Sequence, residues 1–247
     1  MTEINTSKAR IGTGERRQRL DPREREKLIV EGAVSFFAEV GFEGQTRELA
    51  KRLGIAQPLL YRYFPSKEHL IERVYEEVYL GRWQPRWESL VADESRSLEE
   101  RLTQFYQEYA KVSFNNDWVR IFMFSGLKGV GLNKRYLTIV REKLFIPICK
   151  GLRASAGLPS IEQVPVTNDE IELVFTLHGS IYYSAIRKWI YQMPLPEDLD
   201  AHIARVVRTF LRGVPETLRE HLEHLEQLGK TPGTGVQTAS PRTDAGA

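Results

Sequence analysis

The chain has 247 residues and a net charge of +2, from 35 Lys and Arg against 33 Asp and Glu, and 41% of it is hydrophobic. At roughly 150 residues per domain that length allows one large domain or two smaller ones, with enough apolar content for a sizeable core and against wholesale disorder. The longest uncharged apolar stretch, near 121–127, is far short of the roughly 18 residues a membrane span requires, and the polar, basic start leads us to expect no secretory signal.

Residues 1–20 lack hydrophobic periodicity and place Arg16, Arg17 and Arg19 together, which predicts a flexible basic arm. Asp21-Pro22-Arg23-Glu24 then reads as a helix start. Asp can accept from an orphan backbone N–H, Pro fits the first helical position, and Glu favours the positive end of the helix dipole. Ile29, Ala33, Phe36, Phe37 and Val40 recur at helical spacing, and Gly41 can adopt a left-handed stop. A short second helix is expected over about 46–53, capped by Gln45 or Thr46 and ended by Gly54. A third begins at Gln57-Pro58, turns Leu60 and Phe64 inward, and stops before Pro65. Ser66 caps a long fourth helix, about 67–82, carrying Leu70, Val74 and Val78.

Further amphipathic helices are predicted over 98–114, 117–128, 133–156, 169–191 and 199–212. Pro215 is expected to interrupt the last of these, with Leu218, Leu222 and Leu225 marking its resumption. No segment alternates with the period of a strand, so the fold class is all-α. Residues 229–247, rich in Gly, Thr, Pro and Ala, are expected to form a disordered tail.

Three short helices with a tight glycine-containing turn make a helix-turn-helix candidate. Thr46-Arg47-Glu48-Leu49-Ala50, then Leu53-Gly54-Ile55-Ala56-Gln57-Pro58-Leu59-Leu60-Tyr61-Arg62-Tyr63-Phe64 and Pro65-Ser66-Lys67, sharpen it. This run resembles the amino-terminal domain of TetR-family transcriptional repressors, continuously from about residue 28 to 70. Ala56 departs from the pattern, standing where a hydroxyl residue is common. The resemblance implies a DNA-binding domain over 21–70, a helical effector-binding and dimerisation domain over 71–228, and a cytoplasmic homodimeric repressor released from a pseudo-palindromic operator by a small, largely apolar or aromatic effector.

In a helix-turn-helix the third helix enters the major groove with its amino-terminal residues nearest the base edges. Gln57 suits an adenine edge and Arg47 a bidentate pair with guanine, while Pro58 and Leu59 offer apolar contact to thymine methyls. Tyr61 and Lys67 suit phosphate oxygens. The resemblance implies DNA contact at these positions and at Arg62, with Thr46 beginning the second helix.

The later helices are rich in aromatics, which suit ordinary core and also an apolar pocket between helices. Tyr109, Phe122, Phe145, Phe175, His178 and Tyr182 are the candidate pocket walls. Small residues at Gly179 and Ser184, with Ile203, Val207, Phe210 and Leu211 on the last helix, are the candidate dimer interface that the resemblance implies.

Catalysis finds no support: there is no phosphate-cradling glycine loop, no Gly-x-Ser-x-Gly elbow and no nucleophile–base pair. The lone Cys149 excludes an internal disulfide framework and reads as a packed thiol. His221 and His224, flanked by Glu220, Glu223 and Glu226, read as a solvated face, and no metal or cofactor is expected. A helical enzyme or lipid carrier, and a DNA-binding protein without a ligand, are the alternatives.

The near-neutral total hides a partition. Residues 16–67 hold eleven bases and seven acids, +4, which leaves −2 for the remainder. Most of that excess comes from Arg16, Arg17 and Arg19 of the arm leading into the helix-turn-helix, and a basic segment there suits a polyanionic partner.

Overall fold

The computed structural model describes residues 21–227, so the proposed basic arm and carboxy-terminal tail lie outside the described residues. Within them the chain forms helices and no strand. Helix α1 (Pro22–Val40) opens with the Glu24 carboxylate accepting from the Asp21 N–H at 3.2 Å. It ends at Gly41, whose φ of +77° belongs to the left-handed region. A side chain there would also meet the Phe124 ring at 3.0 Å.

Helices α2 (Thr46–Arg52) and α3 (Gln57–Tyr63) follow, and α4 (Lys67–Tyr75) is capped by the Ser66 hydroxyl accepting from the His69 N–H. The fourth helix extends beyond Tyr75 as a π turn over Glu76–Leu80. Next come α5 (Arg86–Ala92), α6 (Leu98–Ser113), α7 (Asn116–Lys128) and α8 (Leu132–Val140). A second π turn (Arg141–Phe145) joins α8 to α9 (Ile146–Ala156), and α10 (Asn168–Trp189) and α11 (Leu199–Gln227) complete the chain.

Three differences from the expected elements have local causes. The segment after Pro85 is a helix, α5, whose Trp87 and Val91 lie four residues apart and are fully buried. The helix expected over 133–156 widens into a π turn before Pro147, which has no N–H for the Lys143 carbonyl. Pro215 does not interrupt the last helix. Helix α11 runs through it, because Val214, Leu218 and Leu222 continue the buried stripe on both sides.

Buried side chains from Ile29 to Leu218 form one continuous cluster. Leu70 and Val74 lie wholly inside it, so packing is unbroken where the sequence suggested a domain boundary. A buried ion pair organises the far end of the helical bundle. Arg153 donates to both oxygens of Glu170 at 2.6 and 2.7 Å, with the two side chains 1% and 2% exposed. The same guanidinium donates to the carbonyls of Pro159, Ser160, Val164 and Pro165, tying down the segment between α9 and α10. No helix among the described residues is long and apolar enough to cross a membrane.

Candidate nucleic-acid interface and effector cavity

The turn between α2 and α3 is made by Gly54 at φ +63°, and the Ile55 N–H donates back to the Ala50 carbonyl at 3.0 Å. Leu60 and Phe64 are buried, so α3 docks through one narrow stripe and turns its remaining side chains away. Arg47, Pro58, Tyr61 and Arg62 are exposed, while Gln57, Leu59 and Lys67 are half-buried.

Thr46 behaves differently. Gln45 occupies the cap position without a side-chain bond, and Thr46 is the first helical residue, with 7% of its surface exposed. Its hydroxyl hydrogen-bonds the Tyr61 hydroxyl at 2.8 Å and accepts from the Gln57 amide at 3.1 Å. These three side chains bridge α2 to α3 and hold Gln57 in one orientation. The bond partners are eleven and fifteen residues apart, so sequence periodicity carries no sign of them.

The charges of this face separate into two sets. Arg52 is held by Glu39 at 2.6 Å and Glu48 at 2.9 Å, and the hydrogen bond from Arg52 lowers the Glu39 carboxyl below its ordinary value. Arg47, Arg62 and Lys67 form no ion pair among the described residues.

Farther along the chain, α6, α7, α8 and α10 enclose a cavity of about 190 Å³. Tyr109 of α6, Trp118 and Phe122 of α7, and Tyr136 and Leu137 of α8 form three sides, and Phe175, His178, Gly179 and Tyr182 of α10 the fourth. Five of the six expected wall residues therefore meet there. Phe145 stands behind them, edge-on to Phe175 at 4.8 Å and to His178 at 5.4 Å. Trp118, Tyr136 and Leu137 complete the lining, and Trp118 stacks on Phe122 at 5.1 Å with the rings 7° from parallel. The four-residue spacing of Trp118 and Phe122 on α7 is the signal that finds them in the sequence.

Burial dominates the electrostatics of this cavity. It pushes the Tyr109 hydroxyl up to about 12, raises Tyr182, and lowers the His178 imidazole to about 4. His178 is therefore neutral near pH 7. An unfolded histidine takes its proton near pH 6.5, whereas folded His178 resists protonation down to about pH 4. Stability is accordingly complete above the unfolded value and declines as the pH falls through this window, by about 3 kcal/mol at the lower end. Chemical denaturation of the native chain and of His178→Phe at matched pH values should reveal that decline in the first and a flatter profile in the second.

The candidate dimer residues are scattered. Gly179 is exposed at the cavity rim, and Phe210 and Leu211 are half-buried. Ser184 is 1% exposed and lies 3.5 Å from the Arg187 guanidinium. Ile203 and Val207 are wholly buried within the chain, where α11 packs on α6 and α9. Ser184, Ile203 and Val207 therefore cannot supply direct contact to a partner, because α11 spends that stripe on its own core.

Two sets of contacts join the cavity helices to the helix-turn-helix. On α7, Arg120 donates to the carbonyls of Ala38 and Glu39 at 2.5 and 3.2 Å, and Phe124 packs on Gly41. On α8, Arg135 donates to both oxygens of Glu72 at 2.6 and 2.8 Å and lies over the Tyr75 ring of α4. Both α1 and α4 are thus fastened to cavity-lining helices.

No group of three or more His, Cys, Asp and Glu among the described residues is arranged to hold a metal. His221 turns to Thr167 and Asp169 at 3.1 and 3.6 Å, while His224 is exposed. Cys149 is buried, and that burial pushes its thiol up to about 12.

Comparison with known proteins bears on the helix-turn-helix first. Residues 29–74 match the family model described as bacterial regulatory proteins, tetR family. The tetracycline repressor protein class A of Escherichia coli is 30% identical over 92 residues, covering 34% of this chain and 42% of that protein. The transcriptional repressor KstR of Mycolicibacterium smegmatis is 44% identical over 50 residues, covering 20% of this chain and 24% of that protein. The chain thus matches less than half the length of either relative.

Similar folds occur in a TetR-like transcriptional regulator from Rhodococcus sp. RHA1, with a TM-score of 0.60 and 18% identity, over 79% of this chain and 100% of that one. A tetR-family regulator from Streptomyces coelicolor gives a TM-score of 0.54 and 17% identity, over 88% and 94%. At that identity these two likenesses carry the fold, while the family model and the curated relatives carry the kinship of the helix-turn-helix. Residues 29–74 thus carry a helix-turn-helix of the TetR family of bacterial regulatory proteins, joined to a helical region whose fold is similar to that of TetR-like regulators.

Proposed function

We propose that the chain is a sequence-specific, cytoplasmic DNA-binding repressor that acts as a homodimer and is released from a pseudo-palindromic operator by a small, largely apolar or aromatic effector. The observation that carries this reading is the outward face of α2 and α3. Arg47 and Arg62 are exposed and unpaired among the described residues, and they flank a Gln57 held in place by Thr46. Residues 21–70 form the DNA-binding domain in this reading, and 71–228 the sensing and dimerising domain.

Arg47 and Gln57 read base edges, and Pro58 and Leu59 meet thymine methyls. Tyr61, Arg62 and Lys67 hold phosphates, while Thr46 acts mainly by orienting its two partners. The dimer forms through the outward faces of α10 and α11. Thr176, Gly179, Ser180 and Tyr183 are exposed on the first, and Val206 and Phe210 are half-buried on the second. The buried Ile203 and Val207 support that face from within.

The effector occupies the aromatic cavity and favours a spacing of the two recognition helices that no longer matches successive major grooves. Helix α7 transmits this change to α1, and α4, the lever that the sequence suggests, moves with α8 through Arg135 and Glu72. The cavity favours this reading over a ligand-independent DNA-binding protein, since a filled core would leave no such space.

Selection of bound duplexes from a random pool tests the proposal. Two inverted half-sites about 34–36 Å apart are expected, with affinity that falls steeply as salt rises. Enrichment of unpaired half-sites would remove the dimer, and a pool that stays random would remove sequence-specific binding.

A further inference from the structure

The cavity carries a second message, in the atoms left without partners. His178 and Tyr182 lie one turn apart on α10, with rings 6.2 Å apart and 13° from parallel. His178 Nδ1 and the Tyr182 hydroxyl are buried, and neither has a hydrogen-bond partner. Only 8% of His178 is exposed, so bulk water does not supply the missing bond. The Tyr109 hydroxyl is a third such atom in the lining, but Tyr136 and Ser113 stand beside it as hydrogen-bonding neighbours. A buried unsatisfied polar atom costs about 1–3 kcal/mol, and the two on α10 imply an occupant that pairs with them.

The remaining walls define what else the occupant must be. Tyr109, Trp118, Phe122 and Tyr136 present aromatic surface, and no lining residue carries a charge. Burial holds His178 neutral, so it offers an anion no compensating charge. No carboxylate is present in the lining to balance a cation. An ion entering would lose its hydration without a partner, which is prohibitive. The volume sets the size: an engineered apolar cavity of about 150 Å³ holds benzene, and this one, at about 190 Å³, is somewhat larger.

We infer that the cavity binds an uncharged molecule of one or two aromatic rings bearing a single hydroxyl, with that hydroxyl bonded to His178 and Tyr182. A hydroxyl donates once and accepts twice, and so matches a neutral imidazole and a phenol together. The rings fill the aromatic walls in edge-on and stacked contacts. Gly179 leaves room at the rim, since no atom of the chain lies within 4 Å of the position a side-chain carbon would take there. This inference rests on the effector reading above and narrows it to one chemical class.

Four probes with the same ring system test it by calorimetry on the full chain: naphthol, naphthalene, naphthoate and naphthylmethyl-trimethylammonium. Naphthol is expected to bind about 10-fold more tightly than naphthalene, and the two ions at least ~100-fold more weakly than naphthol. Tyr182→Phe keeps the shape of the wall and should erase most of the advantage of naphthol while leaving naphthalene unchanged. His178→Gln, which keeps hydrogen-bonding groups, should retain part of it. If His178→Gln does not fold, Tyr182→Phe alone decides.

Equal or tighter binding of either ion, or a naphthol advantage that survives Tyr182→Phe, overturns the class. So does failure of all four probes to bind a chain that still holds its operator. Failure to bind any operator, with naphthol still preferred, instead removes the repressor reading and leaves the cavity chemistry standing.

Discussion

Replacing Arg153 with methionine should lower the unfolding free energy by about 3–5 kcal/mol. The loss arises because Glu170 stays behind, 2% exposed, with a carboxylate built to receive two guanidinium bonds. Four backbone carbonyls between α9 and α10 lose a donor in the same step. Thr167 still donates to Glu170 from its N–H and hydroxyl, at 2.8 and 3.1 Å, which keeps the start of α10 formed. The double variant Arg153→Met/Glu170→Leu should recover much of the loss, since an apolar pair of similar volume removes the stranded charge. Urea denaturation of the three proteins checks this. A single variant within about 1 kcal/mol of native would mean that the pair contributes little beyond its desolvation cost.

At the recognition face, Gln57→Ala should cost about 1–3 kcal/mol of discrimination at one base pair in each half-site while leaving binding to unrelated duplexes nearly intact. Thr46→Val removes only the hydroxyl that accepts from Gln57 and bonds Tyr61, so it should reproduce part of that loss without touching a base. Arg47→Ala should relax preference at a different position. Lys67→Ala should instead weaken all duplexes alike and reduce the salt dependence by about one phosphate contact. Binding isotherms on a panel of single-base operator variants distinguish these outcomes. Unchanged discrimination in Thr46→Val would show that Gln57 needs no support from α2.

The readable parts of this fold are those governed by local chemistry. Caps at Asp21 and Ser66, stops at Gly41 and Gly54, and the inward pair Leu60 and Phe64 all depend on neighbours within one or two turns. Helix α5 escapes that reading because seven residues after a proline carry only Trp87 and Val91 as its inward pair. Pro215 misleads because a proline removes one hydrogen bond, while the burial of Val214, Leu218 and Leu222 on either side is a tertiary effect.

The same division runs through the sites. Arg47 and Arg62 are legible from motif spacing, but the Thr46 clasp joins two helices and has no local signature. Aromatic content points to a cavity without saying where packing stops, so Phe145 and Trp118 exchange roles. Helix α11 has apolar residues on an inward and a half-buried face, and its sequence alone does not tell Ile203 and Val207 from Val206 and Phe210.

Helix α7 has one more consequence. It presents Trp118 and Phe122 to the cavity and Arg120 and Phe124 to the end of α1, so one rigid element touches both the cavity and the helix-turn-helix, the two sites of the proposed function. Linkage between two such equilibria is reciprocal. A ligand that loosens the operator tenfold must itself be held ten times less tightly by the DNA-bound protein than by the free protein. On the proposed reading, operator and ligand are therefore mutual antagonists at this protein, each weakening the other by the same factor.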